Sequence, residues 1–250
     1  MKHDMRNSVR RTATALATLF IIGAPISSVQ AAEDKWKFEI TPYLWTAGVD
    51  GDVTVNGHTT NVKISFKDML DATNAAFSFL GVAQYGRVVL WGQVDYVSLD
   101  TDNIDNPPAN ARLEMDSTMS TLAVGYQFDG WANGQTVDVL IGRRQLALDN
   151  KLTVNGVGTF QKNTDIDDTV LVVRPSFPIS ERWRFNPTLS YGKGDSKKTY
   201  ELQPQFQYQI SKNWATRLGY RSLTYNFEGD KSNTLDVTLS GFIIGFGGTF

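Results

Sequence analysis

The chain has 250 residues, a formal net charge of -2, 41% hydrophobic residues, 20% charged residues and no cysteine. Without cysteine it has neither disulfide bonds nor thiolate metal sites, and its 2 histidines leave few zinc ligands or hydrolase bases. A mean hydropathy of -0.26 excludes a bundle of membrane-spanning helices.

The first 31 residues have the layout of a secretory signal peptide. A basic region that ends at Arg11 precedes an apolar stretch from Ala13 to Ile26, and Val29 and Ala31 provide small residues for cleavage after Ala31. We predict a signal peptide over 1–31 and a mature domain over 32–250, with an uncleaved anchor as the alternative. Removal of the basic segment makes the mature domain more acidic, which does not favour nucleic-acid binding.

From Lys35 onward, apolar and polar residues alternate with a period of two, which indicates β-strands. In Tyr200 to Ile210, for example, one face is aromatic or aliphatic and the other is Glu and Gln. The pattern predicts ten strands, near residues 36–48, 75–85, 87–99, 112–128, 136–149, 168–179, 182–193, 198–210, 213–227 and 234–250.

The joints between these strands alternate in length. Short turns at 85–87, 129–135, 180–182 and 211–213 alternate with joints that are longer or more polar, such as 49–74, 100–111 and 150–167. This alternation predicts an all-β, antiparallel, up-and-down transmembrane β-barrel of about ten strands with periplasmic short turns. Eight strands are an alternative, as are twelve if a hairpin at 53–66 joins the wall. A soluble sandwich or a lipocalin-like barrel also has strands of this period.

Aromatic residues favour the membrane barrel, because they cluster at the two ends of the strands. We expect one ring at the short-turn interface, formed by Trp36, Tyr85, Trp131, Trp183, Trp214 and Phe250, and a second near the opposite ends, formed by Tyr96, Tyr191, Tyr200 and Tyr225. The eight steps from Trp183 to Tyr191 span roughly 19 Å at ~3.3 Å per residue and a ~45° tilt, which suits an apolar bilayer core.

The face opposite the lipid carries charges that a packed soluble core would not hold. The predicted lumen-lining residues are Glu39, Asp95, Arg144, Arg174, Arg184, Glu201, Arg217 and Arg221. Five arginines suggest an anion-selective path. Five acids, namely Glu39, Asp95, Asp138, Glu201 and Asp236, instead allow a structural ion-pair network with these arginines. The narrow interior of a ten-stranded barrel favours that network.

Three segments do not keep one alternation throughout. Leu235, Val237 and Leu239 have odd numbers, whereas Phe242 and its apolar successors have even numbers. We therefore predict a β-bulge near 240–241, and similar slips near residue 143 and in the first half of 112–128.

The last residues resemble the terminal strand of bacterial outer-membrane proteins, through Phe242, Ile244, Phe246 and Phe250. That resemblance implies the outer membrane of a Gram-negative cell, recognition by the barrel assembly machinery, and passage with periplasmic chaperones. Segments 41–45 and 65–71 also resemble an uncharacterised group of small outer-membrane β-barrel proteins, which implies an architecture without an activity. The expected partners are outer-membrane lipid and lipopolysaccharide, with no nucleic acid, and a monomer is favoured.

Candidate sites are few, so we expect a barrel without catalytic residues, metal or cofactor, in a structural, surface-interaction or narrow-channel role. The alternative is a protease or lipid A-modifying enzyme with a site near His58, which adjoins Asp50 and Asp52 on a predicted external hairpin. Two acidic loops, at 100–105 and 165–168, are expected to be solvated in preference to binding Ca²⁺. A short helix at 67–74, capped by Ser65, is expected to pack at the barrel mouth or in the lumen.

Overall fold

The computed structural model describes residues 35–55, 57–101, 111–132, 134–154, 158–228 and 234–250. The predicted signal peptide at 1–31 lies outside these residues. The elements are β1 (Trp36–Trp45), β2 (Gly48–Val55), β3 (His58–Ile64), α1 (Phe66–Ala72), β4 (Thr73–Tyr85), β5 (Val88–Thr101), β6 (Ala111–Asp129), β7 (Thr136–Val154), β8 (Gly158–Pro178), β9 (Trp183–Phe185), β10 (Thr188–Gly194), β11 (Lys198–Gln203), β12 (Gln205–Gln209), β13 (Trp214–Glu228) and β14 (Thr234–Thr249).

These segments form one closed antiparallel barrel with ten strand positions. Four positions hold two segments each, namely β1 with β2, β3 with β4, β9 with β10, and β11 with β12. β14 pairs with β13 on one side and with β1 and β2 on the other, which closes the wall. The predicted all-β barrel of about ten strands is therefore confirmed, and the 53–66 hairpin extends existing positions instead of adding two.

A belt of exposed apolar side chains surrounds the half of the barrel that carries the short turns. On β1, for example, Phe38, Ile40 and Leu44 are exposed, whereas Thr41 and Tyr43 between them are buried inside. β14 repeats the pattern, with Phe242, Ile244 and Phe246 outward. Side chains of this kind on an outer wall are stable in contact with lipid.

Aromatic residues form the short-turn border of this belt. Trp36, Tyr85, Trp131, Trp183, Trp214 and Phe250 are all more than one third exposed. Several contact a neighbouring ring across the wall: the centroids of Trp36 and Tyr85 lie 5.3 Å apart, and those of Trp214 and Phe250 lie 6.3 Å apart. At the other border Tyr191 and Tyr200 are also exposed, but Tyr225 is buried inside the barrel, so its expected place in the outer ring was wrong.

The predicted bulge at 240–241 is wrong. β14 keeps one register from Thr234 to Gly248 against β13, and the same register runs through both β1 and β2. β6, β7 and β8 are likewise continuous, so no slip occurs near residue 143. Gly241 instead accommodates the bend between β1 and β2, since a Cβ atom there would lie 2.0 Å from the carbonyl oxygen of Thr46.

What changes along these strands is which face is apolar. Beyond the lipid belt, the inward residues of β14 are Val237 and Leu239, which pack against buried Leu223 and Tyr225 of β13. Met119, Leu146 and Ile166 complete this outer cluster from β6, β7 and β8. The external part of the barrel thus has an apolar interior and a polar outer wall, which is the arrangement of a protein in water.

Helix α1 lies at the external end, between β3 and β4, and contacts β2 and β5. Ser65 caps it, and a reciprocal capping box joins Ser65 to Asp68. No residue of α1 is buried, so the helix lies at the barrel mouth and does not fill the lumen. Among the described residues, no helix has the length and hydropathy needed to cross a bilayer.

Candidate functional site

Glu201 of β11 lies at the centre of the buried hydrogen-bond network in the lumen. Its two oxygens accept hydrogen bonds from two arginines, Arg144 of β7 and Arg221 of β13, and the Arg221 Nε to Glu201 Oε1 distance is 2.7 Å. The side chain of Glu201 has no accessible surface, and those of the arginines are 1% and 2% exposed. One carboxylate thus connects opposite parts of the wall through charge-assisted bonds.

Arg221 extends this network to the other side of the lumen. Its Nη1 donates to Asp95 of β5 at 2.6 Å, and its guanidinium lies 4.3 Å from the ring centroid of Trp45. Tyr43 donates its hydroxyl proton to the same aspartate and accepts a bond from Gln93 at 2.7 Å. The positive charge of Arg221 therefore has two carboxylates and an aromatic face as partners.

The other hydrogen-bond donors of the Arg144 guanidinium have neutral hydroxyl groups as acceptors. It donates to the hydroxyls of Thr121, Thr199 and Ser190 at 3.2, 3.1 and 2.7 Å. Trp91, Val170 and Val172 fill the adjacent level of the lumen and are fully buried. Because a water-sized space would leave accessible surface on its walls, the centre of the lumen is filled by side chains.

A second group of charges lies nearer the short turns. Arg217 bonds Glu39, and Arg174 Nη1 bonds Asp138 at 3.2 Å. Arg184 bonds the hydroxyl of Ser176. All eight residues proposed from the sequence as lumen-lining therefore occupy the inner wall, in two groups. Sequence reasoning did not find the neutral members, such as Gln93 and Thr199, because their residue types carry no comparable signal.

One expected ion-pair partner is elsewhere. Asp236 is exposed on the external wall, where it accepts a bond from Asn226. Its expected place in the lumen was wrong, because β14 has already left the lipid belt at this point. Asp168 was expected in a solvated loop, which was wrong, because it lies in β8 and points inward. It has no accessible surface, and it accepts a bond from the backbone N–H of Ser196 at 2.8 Å.

The proposed catalytic group near His58 is not brought together. β2 and β3 form a hairpin in which Val55 pairs with His58 in the backbone register and Asp52 pairs with Asn61. Because side chains alternate along a strand, His58 lies on the opposite face of the hairpin from Asp52. Asp52 instead accepts a bond from Asn61, and Asp50 lies 3.8 Å from the ammonium group of Lys63.

The acidic loops show no metal site within the described ranges, where no group of three or more His, Cys, Asp or Glu residues has a suitable arrangement. Asp102 and Asp105 lie outside the described residues. Asp167 faces outward and accepts two bonds from Arg143, one of them at 2.8 Å. These bonds from the Arg143 guanidinium lower the pKa of the Asp167 carboxyl below its usual value.

Arg143 marks the outer edge of the lipid belt. It pairs with Thr169, which pairs with Lys193, so the three form one outward row across β7, β8 and β10. Two residues closer to the short turns, the parallel row is apolar and aromatic: Ile141, Leu171, Tyr191 and Tyr200 are all exposed. The wall passes from lipid-compatible to charged over two residues, or roughly 7 Å along a strand.

No protein-family model matches the chain, and no curated protein matches it in sequence. Its fold is similar to that of the outer membrane protease OmpT from Escherichia coli, with a TM-score of 0.52 and 9% identity over 89% of this chain and 98% of that one. The chain is an outer-membrane β-barrel.

Two other solved structures have a lower similarity to this barrel. The translocator domain of autotransporter NalP from Neisseria meningitidis gives a TM-score of 0.45, with 12% identity over 86% of this chain and 89% of that one. A major outer membrane protein from Thermus thermophilus gives a TM-score of 0.41, with 13% identity over 86% of this chain and 100% of that one.

The apolar belt, its aromatic border and the closed wall confirm the predicted outer-membrane location of this barrel.

Proposed function

We propose that this barrel is a non-catalytic and non-conducting outer-membrane protein that acts through its external wall. The observation that carries the proposal is the filled lumen, in which Arg144, Arg221 and Glu201 are at most 2% exposed. A pore of even one water diameter would leave accessible surface on the side chains that line it. The charged network instead fastens the strands to one another.

The absence of conductance is the direct test. Purified barrel inserted in planar bilayers is expected to give no unitary steps above the baseline, while a general porin inserted in the same bilayers gives them. Stable unitary currents from the wild-type protein would contradict the proposal, because ions cannot pass the level of Glu201 without displacing its arginines.

The proposed non-enzymatic role is supported by the hairpin geometry around His58. A general base needs its partners within hydrogen-bond reach, yet His58 and Asp52 lie on opposite faces of the same hairpin. We expect cells that express the wild-type barrel and the His58→Ala variant to have identical lipid A species and identical cleavage of added peptides. A lipid A or peptide change that requires His58 would establish the enzyme alternative.

The partner that we propose for the external wall is lipopolysaccharide. The row of Arg143, Thr169 and Lys193 follows directly on exposed Tyr191 and Tyr200, at the height where the phosphates of outer-leaflet lipid A meet water. Lys198 adds a further cation, next to Thr199, which pairs with Gly192.

Mass spectrometry of barrels extracted in mild detergent tests this contact. The wild-type protein is expected to retain lipid A, and the double variant Lys193→Gln with Lys198→Gln is expected to retain less. Lys212→Gln is the matched control, since Lys212 lies in a short turn at the opposite end of the barrel. Equal lipid A retention by all three proteins would contradict the proposed lipopolysaccharide contact. It would not bear on the proposal that the filled lumen does not conduct ions.

A further inference from the structure

A cavity of about 310 Å³ occupies the short-turn end of the lumen. Its lining residues come from every strand position of the barrel except that of β14. Val89 and Val82 line it on the side of β4 and β5, and Pro175 and Pro187 line it on the side of β8 and β10. A volume of this size lies at the lower limit for small-molecule sites, which begin near ~300 Å³.

The charged residues of this cavity do not balance. Three arginines line it, Arg174, Arg184 and Arg217, but only two carboxylates, Glu39 and Asp138. Glu39 bonds Arg217, and Asp138 bonds Arg174, so both acids already have a cation. The cavity therefore carries one uncompensated positive charge.

Arg184 is the source of that charge. Its guanidinium donates only to neutral oxygens, at 2.9 Å to the carbonyl of Gly134 and at 3.0 and 2.9 Å to the hydroxyl of Ser176. Among the described residues, no carboxylate lies within ion-pair distance of it. A half-buried guanidinium held in place by neutral groups is well arranged to receive an anion.

Arg217 provides an independent indication of a missing partner. Its side chain is only 7% exposed, and Nη2 bonds Glu39. Nη1 is buried and has no hydrogen-bond acceptor in the part of the chain that the structure describes. A buried donor without an acceptor costs free energy, and this atom belongs to a residue that lines the cavity.

We infer that this short-turn cavity binds a small oxyanion, a phosphate or carboxylate group carried by a periplasmic solute. Arg184 supplies the charge and Arg217 Nη1 supplies a donor without an acceptor. Gln84, Gln127 and Gln207 complete the polar lining, and their amide nitrogens already donate to protein oxygens. Trp91 and Leu140, fully buried at the next level, close the cavity towards the membrane centre. The solute therefore enters and leaves by the same side, and binding does not require conduction.

Nuclear magnetic resonance of the full barrel in detergent micelles tests this site, with inorganic phosphate and acetate as the probes in a buffer free of both ions. We expect a saturable shift of the Arg217 side-chain Nε resonance with at least one probe, and this resonance remains observable in every Arg184 variant. A shift with phosphate but not with acetate would assign the site to phosphorylated solutes. A shift with acetate but not with phosphate would assign it to carboxylates.

Arg184→Gln is expected to weaken binding at least about tenfold, since it removes a hydrogen bond to a charged group. The Arg184→Lys variant retains the charge and is expected to keep part of the affinity, which separates a lost site from a lost fold. Arg182→Gln is the matched control, because Arg182 is exposed in the adjacent turn and does not line the cavity. No saturable shift in the wild-type barrel, or an equal loss in Arg182→Gln, would overturn the inference.

Discussion

The membrane-spanning and external parts of this barrel are built from the same strands, yet they place apolar and polar side chains on opposite faces. On β7, Ile141 faces the lipid and Asp138 faces the lumen. Four residues after Ile141 the arrangement is reversed: Gln145 faces outward and Leu146 is buried inside. The register between β7 and β8 does not change between these residues. The medium outside the wall therefore decides which face is apolar.

The two parts also differ in what holds their interiors together. Inside the lipid belt the lumen combines buried charges, centred on Glu201, with an apolar cluster around Trp91, whereas the external part is held by the apolar cluster around Leu223. A charge buried in this way is stabilising only while its partners are present, whereas an apolar cluster loses stability in proportion to the volume removed.

The largest effect is expected from Glu201→Ala, which leaves Arg144 and Arg221 buried with one carboxylate fewer. Loss of one partner of a buried ion pair costs about 3–5 kcal/mol. Urea unfolding in lipid vesicles, followed by tryptophan fluorescence, measures the free energy of unfolding. Glu228→Ala is the control, because its exposed pair with Lys197 is worth about 0–1 kcal/mol. Equal losses in the two variants would show that the lumen charges are not the support we describe.

A pair of leucines on β13 compares the two apolar environments directly. Leu223 is 1% exposed inside the external part, and Leu218 is 45% exposed on the lipid belt. Leu223→Ala is expected to cost about 2–5 kcal/mol, because it leaves a cavity. Leu218→Ala is expected to cost less, because lipid chains fill the space that it leaves. The same vesicle assay measures both, and a larger loss for Leu218→Ala would reverse the assignment of the two faces.

The smallest effect concerns α1, which lies outside the lipid belt. Hydrogen bonds from the Ser65 hydroxyl, and then from its backbone N–H, lower the pKa of the exposed Asp68 carboxyl below its usual value. A lowered pKa means that the charged form stabilises the helix at pH values above the unfolded pKa. This contribution is lost as the pH falls through the folded pKa.

Ser65→Ala is therefore expected to raise the pKa of Asp68 towards its usual value and to loosen the first turn of α1. Carbon-detected titration of the carboxyl resonance measures this change. Ser211→Ala, in a short turn at the other end, is the control that leaves the pKa of Asp68 where it was. An unchanged titration in Ser65→Ala would show that the capping box is not formed in solution.

The sequence predicts the strand number well, because the period of two and the alternation of turn lengths are local properties. It does not predict where the strands leave the membrane. The change of parity after Leu239 was interpreted as a bulge, although the register is continuous and only the surroundings change. A reversal of the medium and a slip of the strand shift the pattern by the same single residue.

The ion pairs are less predictable still. Alternation indicates that Arg143 and Arg144 point to opposite faces, and likewise Asp167 and Asp168. It placed Arg144 in the lumen correctly, whereas the acids at 165–168 were expected in a solvated loop. In the structure Arg144 and Asp168 are inside, and Arg143 and Asp167 form an external pair. Partners such as Arg221 and Asp95 are separated by 126 residues, so only the closure of the barrel brings them together.

Because the chain has no cysteine, single cysteines along β7 test the inversion most directly. In sealed vesicles treated with a water-soluble maleimide, Gln145→Cys and Asp149→Cys are expected to react, since both positions face outward beyond the belt. Val139→Cys and Ile141→Cys are expected to be protected until detergent replaces the lipid. Reaction at Ile141→Cys in intact vesicles, or protection at Gln145→Cys, would contradict an external wall that begins at Arg143.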